Sequence, residues 1–349
     1  MTSKVSILVP VYNVSKYIER CAHSLFQQTF EDIEYVFVND CTPDNSIEKL
    51  QKIIDRYPTR KSVKIINHEK NRGLAAARNT AIDNSTGKYI LHIDSDDYIE
   101  LDMVEQLYQV AEKKQADITV CDFFRETARQ TVICYDFIAY DREERFRNIL
   151  TVEKSEGYIW NKLIRRELYE LPDCRLPAGL DFWEDLYVVT LFYYYTNKIA
   201  KVDKPLYHYV MYNENALTNN SCNKKHYENV LLFWRLLDKF LQEKGVFEKY
   251  LDIIEKQKLQ IKITLIFNTK SATLRHQYAE MFAAEEKKRR NTLKLVEKVM
   301  FFCAKRKYLL WGASVIRNLL LIKGKILKWL YAVKKPLEPP QKQLCTMKI

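Results

Sequence analysis

The chain has 349 residues, 47% of them apolar, which is enough for a sizeable core and for two domains. Its formal charge of +11 is gathered near the C-terminus: residues 287–335 hold 15 Lys or Arg against one acid, and everything before them is slightly acidic. Eight cysteines without a Cys-x-x-Cys pair exclude a disulfide-stapled scaffold, and no cleavable leader pattern precedes the first apolar run, so reduced thiols in the cytoplasm are expected.

In chain order, Val5–Pro10 is an apolar run of strand length, followed by Tyr12-Asn13 and a helical pattern through Ile18, Cys21, Ala22, Leu25 and Phe26. Residues 33–38 form a second run that ends in Asn39-Asp40, and Asp44-Asn45-Ser46 offers a helix cap before Ile47, Leu50, Ile53 and Ile54. A third run, 63–66, leads into Asn71-Arg72-Gly73 and the Ala-rich stretch 74–79, which favours helix. The fourth run, 89–93, stops at Asp94-Ser95-Asp96-Asp97, and residues 116–121 make a fifth. Alternating strands and helices predict an α/β fold with a parallel sheet covered on both faces.

In such a sheet, ligands bind outside the carboxyl ends of the strands. Pro10-Val11-Tyr12, Asp40, Asn71-Arg72 and Asp94 all follow strand ends, so four exits converge on one crevice. Met singly, Tyr12 reads as a loop aromatic, Asp40 as a turn former and Arg78 as a solvated helix residue; their shared placement favours a functional reading. Three carboxylates within four positions are costly unless solvated or bound to a cation, and an oxygen cluster suits a hard divalent ion carrying substrate phosphates.

The ordered motifs Val9-Pro10-Val11-Tyr12-Asn13, Val38-Asn39-Asp40 with Asp44-Asn45-Ser46, residues 71–79 and Asp94-Ser95-Asp96-Asp97 resemble those of family 2 glycosyltransferases with the GT-A fold, over roughly residues 1–220. The second motif departs from the family's Asp-Asp-Gly-Ser: Asn39-Asp40-Cys41-Thr42 keeps the second acid, and a looser turn is expected there. The resemblance implies that Asp40 contacts the nucleotide base, that Tyr12 and Arg72 line the base pocket beside Pro10, and that Asp94 faces the ribose or sugar. It also implies that Asp96 holds Mn²⁺ or Mg²⁺ on the diphosphate; apart from the resemblance, Arg78 is a candidate to assist the departing charge. A metal at this point would neutralise the leaving diphosphate without proton transfer.

Further on, Glu184-Asp185 stand among apolar residues, where burial raises a carboxylate's pKa toward values useful to a base. They would also suit a helix's first turn. The resemblance makes the pair the family's base motif, with Asp185 in the role and Glu184 beside it. Trp160-Asn161-Lys162-Leu163 resembles a stretch common in bacterial members. Tyr207-His208-Tyr209 through Asn213 and Thr218 resembles the segment that closes over the donor, with His208 a candidate metal ligand.

Three regions follow: a GT-A (Rossmann-like) catalytic domain, 1–222, a helical acceptor-side region, 223–286, and a basic amphipathic tail, 287–349. The tail mixes Lys and Arg with Trp311, Trp329 and many Leu and Ile, and reads as helices lying on an anionic membrane surface. Its charges interrupt any stretch long enough to span a bilayer, and its apolar content argues against a nucleic-acid arm. The expected function is an inverting, metal-dependent transfer from a UDP-sugar to a glycan or lipid-linked glycan in bacterial surface polysaccharide assembly, on the inner face of the plasma membrane. A sugar-phosphate nucleotidyltransferase would want a Gly-rich phosphate loop near the first strand, which Pro10-Val11-Tyr12-Asn13 lacks. A non-enzymatic basic adaptor would depend on the tail alone. Neither the donor sugar nor the oligomeric state follows from the sequence.

Overall fold

The computed structural model describes residues 3–60, 62–151, 157–213, 224–269, 271–293 and 295–305. The described residues divide into two compact units, one up to Ile149 together with 157–213, the other residues 150–151 together with those from 224 onward.

In the first unit the apolar runs become strands. β1 (Val5–Val11) and β2 (Ile33–Asn39) are buried almost throughout, as continuous hydrophobic runs in a covered sheet should be. β3 (Val63–Asn67) is the more exposed edge, and β4 (Tyr89–His92) is fully buried. Helices α1 (Ile18–Phe26), α2 (Ser46–Ile54) and α3 (Leu74–Asp83) alternate with them. The remaining elements are β5 (Tyr98–Ile99), α4 (Met103–Lys114), β6 (Ile118–Glu126), β7 (Thr131–Cys134), α5 (Arg142–Leu150), β8 (Lys162–Arg165), α6 (Glu184–Tyr195) and β9 (Ile199–Val210).

Among the described residues, nine strands make one sheet in the order β3-β2-β1-β4-β8-β6-β9-β5, with β7 paired to β6. The first four are parallel, as expected. The expectation of a parallel sheet fails beyond them: β8 lies antiparallel between β4 and β6, β5 is antiparallel to β9, and β7 to β6. The chain therefore builds a mixed sheet whose fifth apolar run, β6, does not neighbour the fourth.

The strand order reverses at β1, with β2 and β3 on one side and β4 on the other. Ladder pairing of β1 with β4 stops at Leu8–His92, whereas pairing with β2 continues to Val11–Asn39. Pro10, which has no N–H to give, falls in that one-sided stretch. The two chains part there and open a crevice at the carboxyl ends, the usual ligand position in such sheets.

The second unit is helical. α7 (Lys224–Glu243), α8 (Phe247–Asn268), α9 (Ala272–Glu280), α10 (Ala283–Lys288) and α11 (Leu295–Lys305) follow one another, and α8 packs against the other four. Tyr227, Val230, Leu231, Trp234 and Leu237 do fall on one helix, α7, and Val230, Trp234 and Leu237 are buried. The start of the basic stretch is packed helix: Phe301 is buried, Lys288 and Arg289 pair with Glu255, and Lys305 pairs with Glu286. No described helix is long and apolar enough to cross a membrane. The remainder of the expected membrane tail, residues 306–349, lies outside the described residues, as does Thr218 of the expected closing segment.

Candidate active site

Each exit along the parallel strands delivers a residue. After β1, Tyr12 stands 47% exposed, and Pro10 is buried in the strand opposite Val38. After β2, Asp40 is only 3% exposed and its carboxylate is turned to the next loop. Oδ1 accepts from Arg72 N at 2.8 Å and pairs with His68 Nδ1 at 2.7 Å, and Oδ2 accepts from Gly73 N at 2.9 Å. The acid expected on the base thus also fixes the backbone that carries Arg72, whose own side chain is exposed.

The departure at Asn39-Asp40-Cys41-Thr42 does not loosen the turn. Cys41 adopts φ 57°, the left-handed conformation that a glycine would take without strain. Thr42 anchors the turn: its N donates to Asn39 Oδ1 at 2.9 Å, and its hydroxyl accepts from Asn13 N at 2.8 Å and donates to Asp44 at 2.7 Å. Burial pushes the Asp44 carboxyl up, but hydrogen bonds from Ser46, Thr42 and Ser15 outweigh it and hold the group at about 2.

Gly73 precedes α3 at φ 87°, and a Cβ there would lie 2.4 Å from Asp181 Oδ1. Asp181 was not singled out from the sequence, although it sits four residues before Asp185. Arg78, on α3, is 2% exposed and joins two motifs. Its Nη2 donates to Asp94 Oδ1 at 2.6 Å and its Nη1 to Glu184 Oε1 at 2.5 Å. The solvated-helix reading of Arg78 is therefore wrong. Burial disfavours its charge, but Asp94 and Glu184 more than restore it.

Glu184 and Asp185 open α6, and Trp183 just before them takes φ 68°. Glu184 is 4% exposed, and burial pushes its carboxyl up despite Arg78. Asp185 is less enclosed, accepts from Leu186 N through Oδ1 at 2.7 Å, and is likewise pushed up by burial against the opposing pull of Arg78. Arg78, Asp94, Glu184 and Asp185 thus form one charged cluster from α3, the exit of β4 and the start of α6.

Asp96 lies beside Asp94. Burial raises its carboxyl to about 6, Asp94 adds to the rise, and a hydrogen bond from Asn213 Nδ2 at 2.7 Å to Oδ2 opposes it. Asp97 has a structural role: Tyr207 OH donates to Oδ2 at 2.6 Å and Val210 N to Oδ1 at 2.7 Å, tying the acidic turn to β9. Arg20, missed in the sequence because it looks like an ordinary polar position of α1, donates to the Asp96 carbonyl at 3.3 Å and to Tyr212 OH at 2.6 Å.

His208 does not join this group. Its ring is stacked between Tyr98 and Phe124, with Nε2 at 2.7 Å from Glu100 and Nδ1 at 2.8 Å from Glu126. Both ring nitrogens are committed to carboxylates, so the expected metal ligand is a structural histidine here. It also belongs to a regular strand, β9, and not to a closing segment.

With this geometry in place, comparisons assign the class. The sheet matches the GT-A glycosyltransferase fold: S. aureus TarS, residues 1–349, crystallised in complex with UDP-GlcNAc, superposes with a TM-score of 0.64 at 20% identity, covering 90% of each chain. The family model "Glycosyl transferase family 2" matches residues 6–171. Glycosyltransferase EpsH of Bacillus subtilis is 33% identical over 258 residues, 71% of this chain and 72% of EpsH. EpsJ, a glycosyltransferase of the same bacterium, is 35% identical over 224 residues, 62% of this chain and 64% of its own length. The chain belongs to glycosyltransferase family 2, and it is an enzyme that transfers a sugar.

Proposed function

We propose that the protein is an inverting, metal-dependent glycosyltransferase that takes a sugar from a nucleoside-diphosphate sugar, a UDP-sugar, and places it on a glycan or lipid-linked glycan in cell-surface polysaccharide assembly. The observation that carries this reading is the Asp94–Arg78–Glu184 chain, which brings a sugar-facing acid and a base motif together beside Asp96. The UDP-GlcNAc bound to TarS, whose fold is shared, supports the choice of donor class.

Asp185 is the base. It is the less enclosed acid of the pair, and an upward-shifted carboxylate is a better proton acceptor near neutral pH. Arg78 fixes Glu184 and Asp94, so the sugar-facing acid and the base motif hold one geometry. Proton removal from the acceptor hydroxyl at Asp185 and attack at the anomeric carbon from the side opposite the diphosphate give a single displacement with inversion.

The residues present fit a divalent ion on Asp96. An ion of this kind is bound by one or two carboxylates together with substrate phosphates. Carboxylates pushed upward by burial, and further by one another, are also what a cation would relieve. When bound, Mn²⁺ or Mg²⁺ would neutralise the developing charge on the diphosphate. Tyr12 and Arg72, exposed at their loops, are placed for the base, and Asp40 holds the Arg72 backbone. The basic stretch beyond Lys305 brings the enzyme to the cytoplasmic face of the plasma membrane.

Turnover measures this reading. A thermal-shift screen of nucleotide sugars with Mn²⁺ identifies the donor, since a ligand at a hundred times its Kd adds about 2.7 kcal/mol. With that donor, Asp185→Asn should cut kcat by about a hundredfold or more and leave donor affinity nearly unchanged. A larger loss in Glu184→Gln would move the base to the other acid, and an α-product from an α-linked donor would contradict inversion.

A further inference from the structure

His68 follows β3 directly, and its side chain is buried where β2, β3 and α3 meet. Its backbone N donates to the Asn39 carbonyl at the end of β2 at 2.9 Å, which sets the ring beside Asp40. Nδ1 lies 2.7 Å from Asp40 Oδ1, and Nε2 lies 2.9 Å from the Thr80 hydroxyl on α3. An ionised carboxylate can only accept, so Nδ1 carries a proton and donates it to that bond. Among the described residues no other side chain donates to the Asp40 carboxylate; its remaining donors are the backbone N–H groups of Arg72 and Gly73.

The last torsion of an aspartate side chain is soft, so the direction of its free lone pairs depends on what ties its oxygens. A carboxylate offers about four acceptor sites. Oδ1 gives its share to Arg72 N and His68 Nδ1, whereas Oδ2 takes only Gly73 N and keeps a site for a ligand. The two backbone donors belong to a loop that the same carboxylate holds in place. His68 is anchored elsewhere, at the end of β2 and on α3, so it fixes the carboxylate independently of that loop. We propose that His68 is a positioning residue for the nucleotide base, aiming Asp40 Oδ2 at an N–H of the base, an inference that rests on Asp40 facing that base. A site so arranged takes uracil, whose N3 bears a hydrogen. It turns away cytosine, whose N3 is itself an acceptor and would meet the carboxylate lone pair to lone pair.

Calorimetric titration of the full chain with UDP and with CDP, Mn²⁺ present, tests this. The amide nitrogen of an asparagine stands close to where Nδ1 stands in a histidine, and that of a glutamine close to where Nε2 stands. His68→Asn should therefore keep the donor to Asp40 and a UDP affinity near the parent's. His68→Gln, which keeps only the Thr80 side, should weaken UDP by about tenfold while the weaker binding of CDP hardly changes. A loss that falls equally on UDP and CDP, or equally on the Asn and Gln variants, would be a general loosening of the fold and overturns the inference. Parental UDP affinity in His68→Gln overturns it as well. Asp40→Ala binding UDP as tightly as the parent would instead remove the base contact on which the inference rests, so the two failures are distinguishable.

Discussion

Arg78 holds Asp94 and Glu184 on a single buried guanidinium. Replacing it with Met would leave Glu184 buried without its cation, a change that costs about 3–5 kcal/mol in comparable buried pairs. The deficit should depend on pH. Glu184 is already raised by burial, so its folded form holds a proton over a range where the unfolded chain has lost it. Stability from such a group is present at low pH and is lost as pH rises through the folded pKa. Denaturant unfolding of Arg78→Met against the parent should therefore show a larger gap at pH 8 than at pH 5, and an equal gap at both would mean that Glu184 is not the group left unpaired. Arg78 could not be recognised as buried from its local sequence, because its partner Glu184 is 106 residues away.

At the scale of elements, the loop before α3 is the tightest join in the site. Gly73→Ala would meet both a positive φ and the Asp181 carboxylate, so about 1–3 kcal/mol of stability should be lost, read as a lower Tm by calorimetry. An unchanged Tm would mean that the loop and Asp181 can separate at no cost. The first four strands were legible because each is a continuous apolar run ending in a polar turn, as buried parallel strands are. The antiparallel insertion of β8 was not, since Lys162–Arg165 is four residues with a cation at each end and no alternation. Motif order brought Asp94, Asp96, Glu184 and Asp185 into view, whereas His208 misled because its environment, two glutamates and two rings, comes from other strands and the loop after β5.

For the whole molecule, the proposed membrane contact depends on where the basic charge lies. The basic stretch begins inside the second unit, where Lys288, Arg289 and Lys305 are neutralised by Glu255, Asp252 and Glu286. The informative truncation therefore falls after Lys305, which leaves α11 whole. The full chain should float with anionic vesicles, weakening with salt as each surface Lys or Arg contributes about 1 kcal/mol, while the truncated chain should stay behind. Equal flotation of both would place membrane contact elsewhere. The central claim, a metal-dependent nucleotide site at Asp96, is tested most directly by calorimetric titration of UDP with and without Mn²⁺. Because burial holds Asp96 at about 6, affinity in the presence of Mn²⁺ should fall as pH drops through that value and protons compete for the carboxylate. At pH 7.5 the parent should bind UDP only when Mn²⁺ is present and Asp96→Ala should bind neither; binding of both by Asp96→Ala as tightly as by the parent would contradict it.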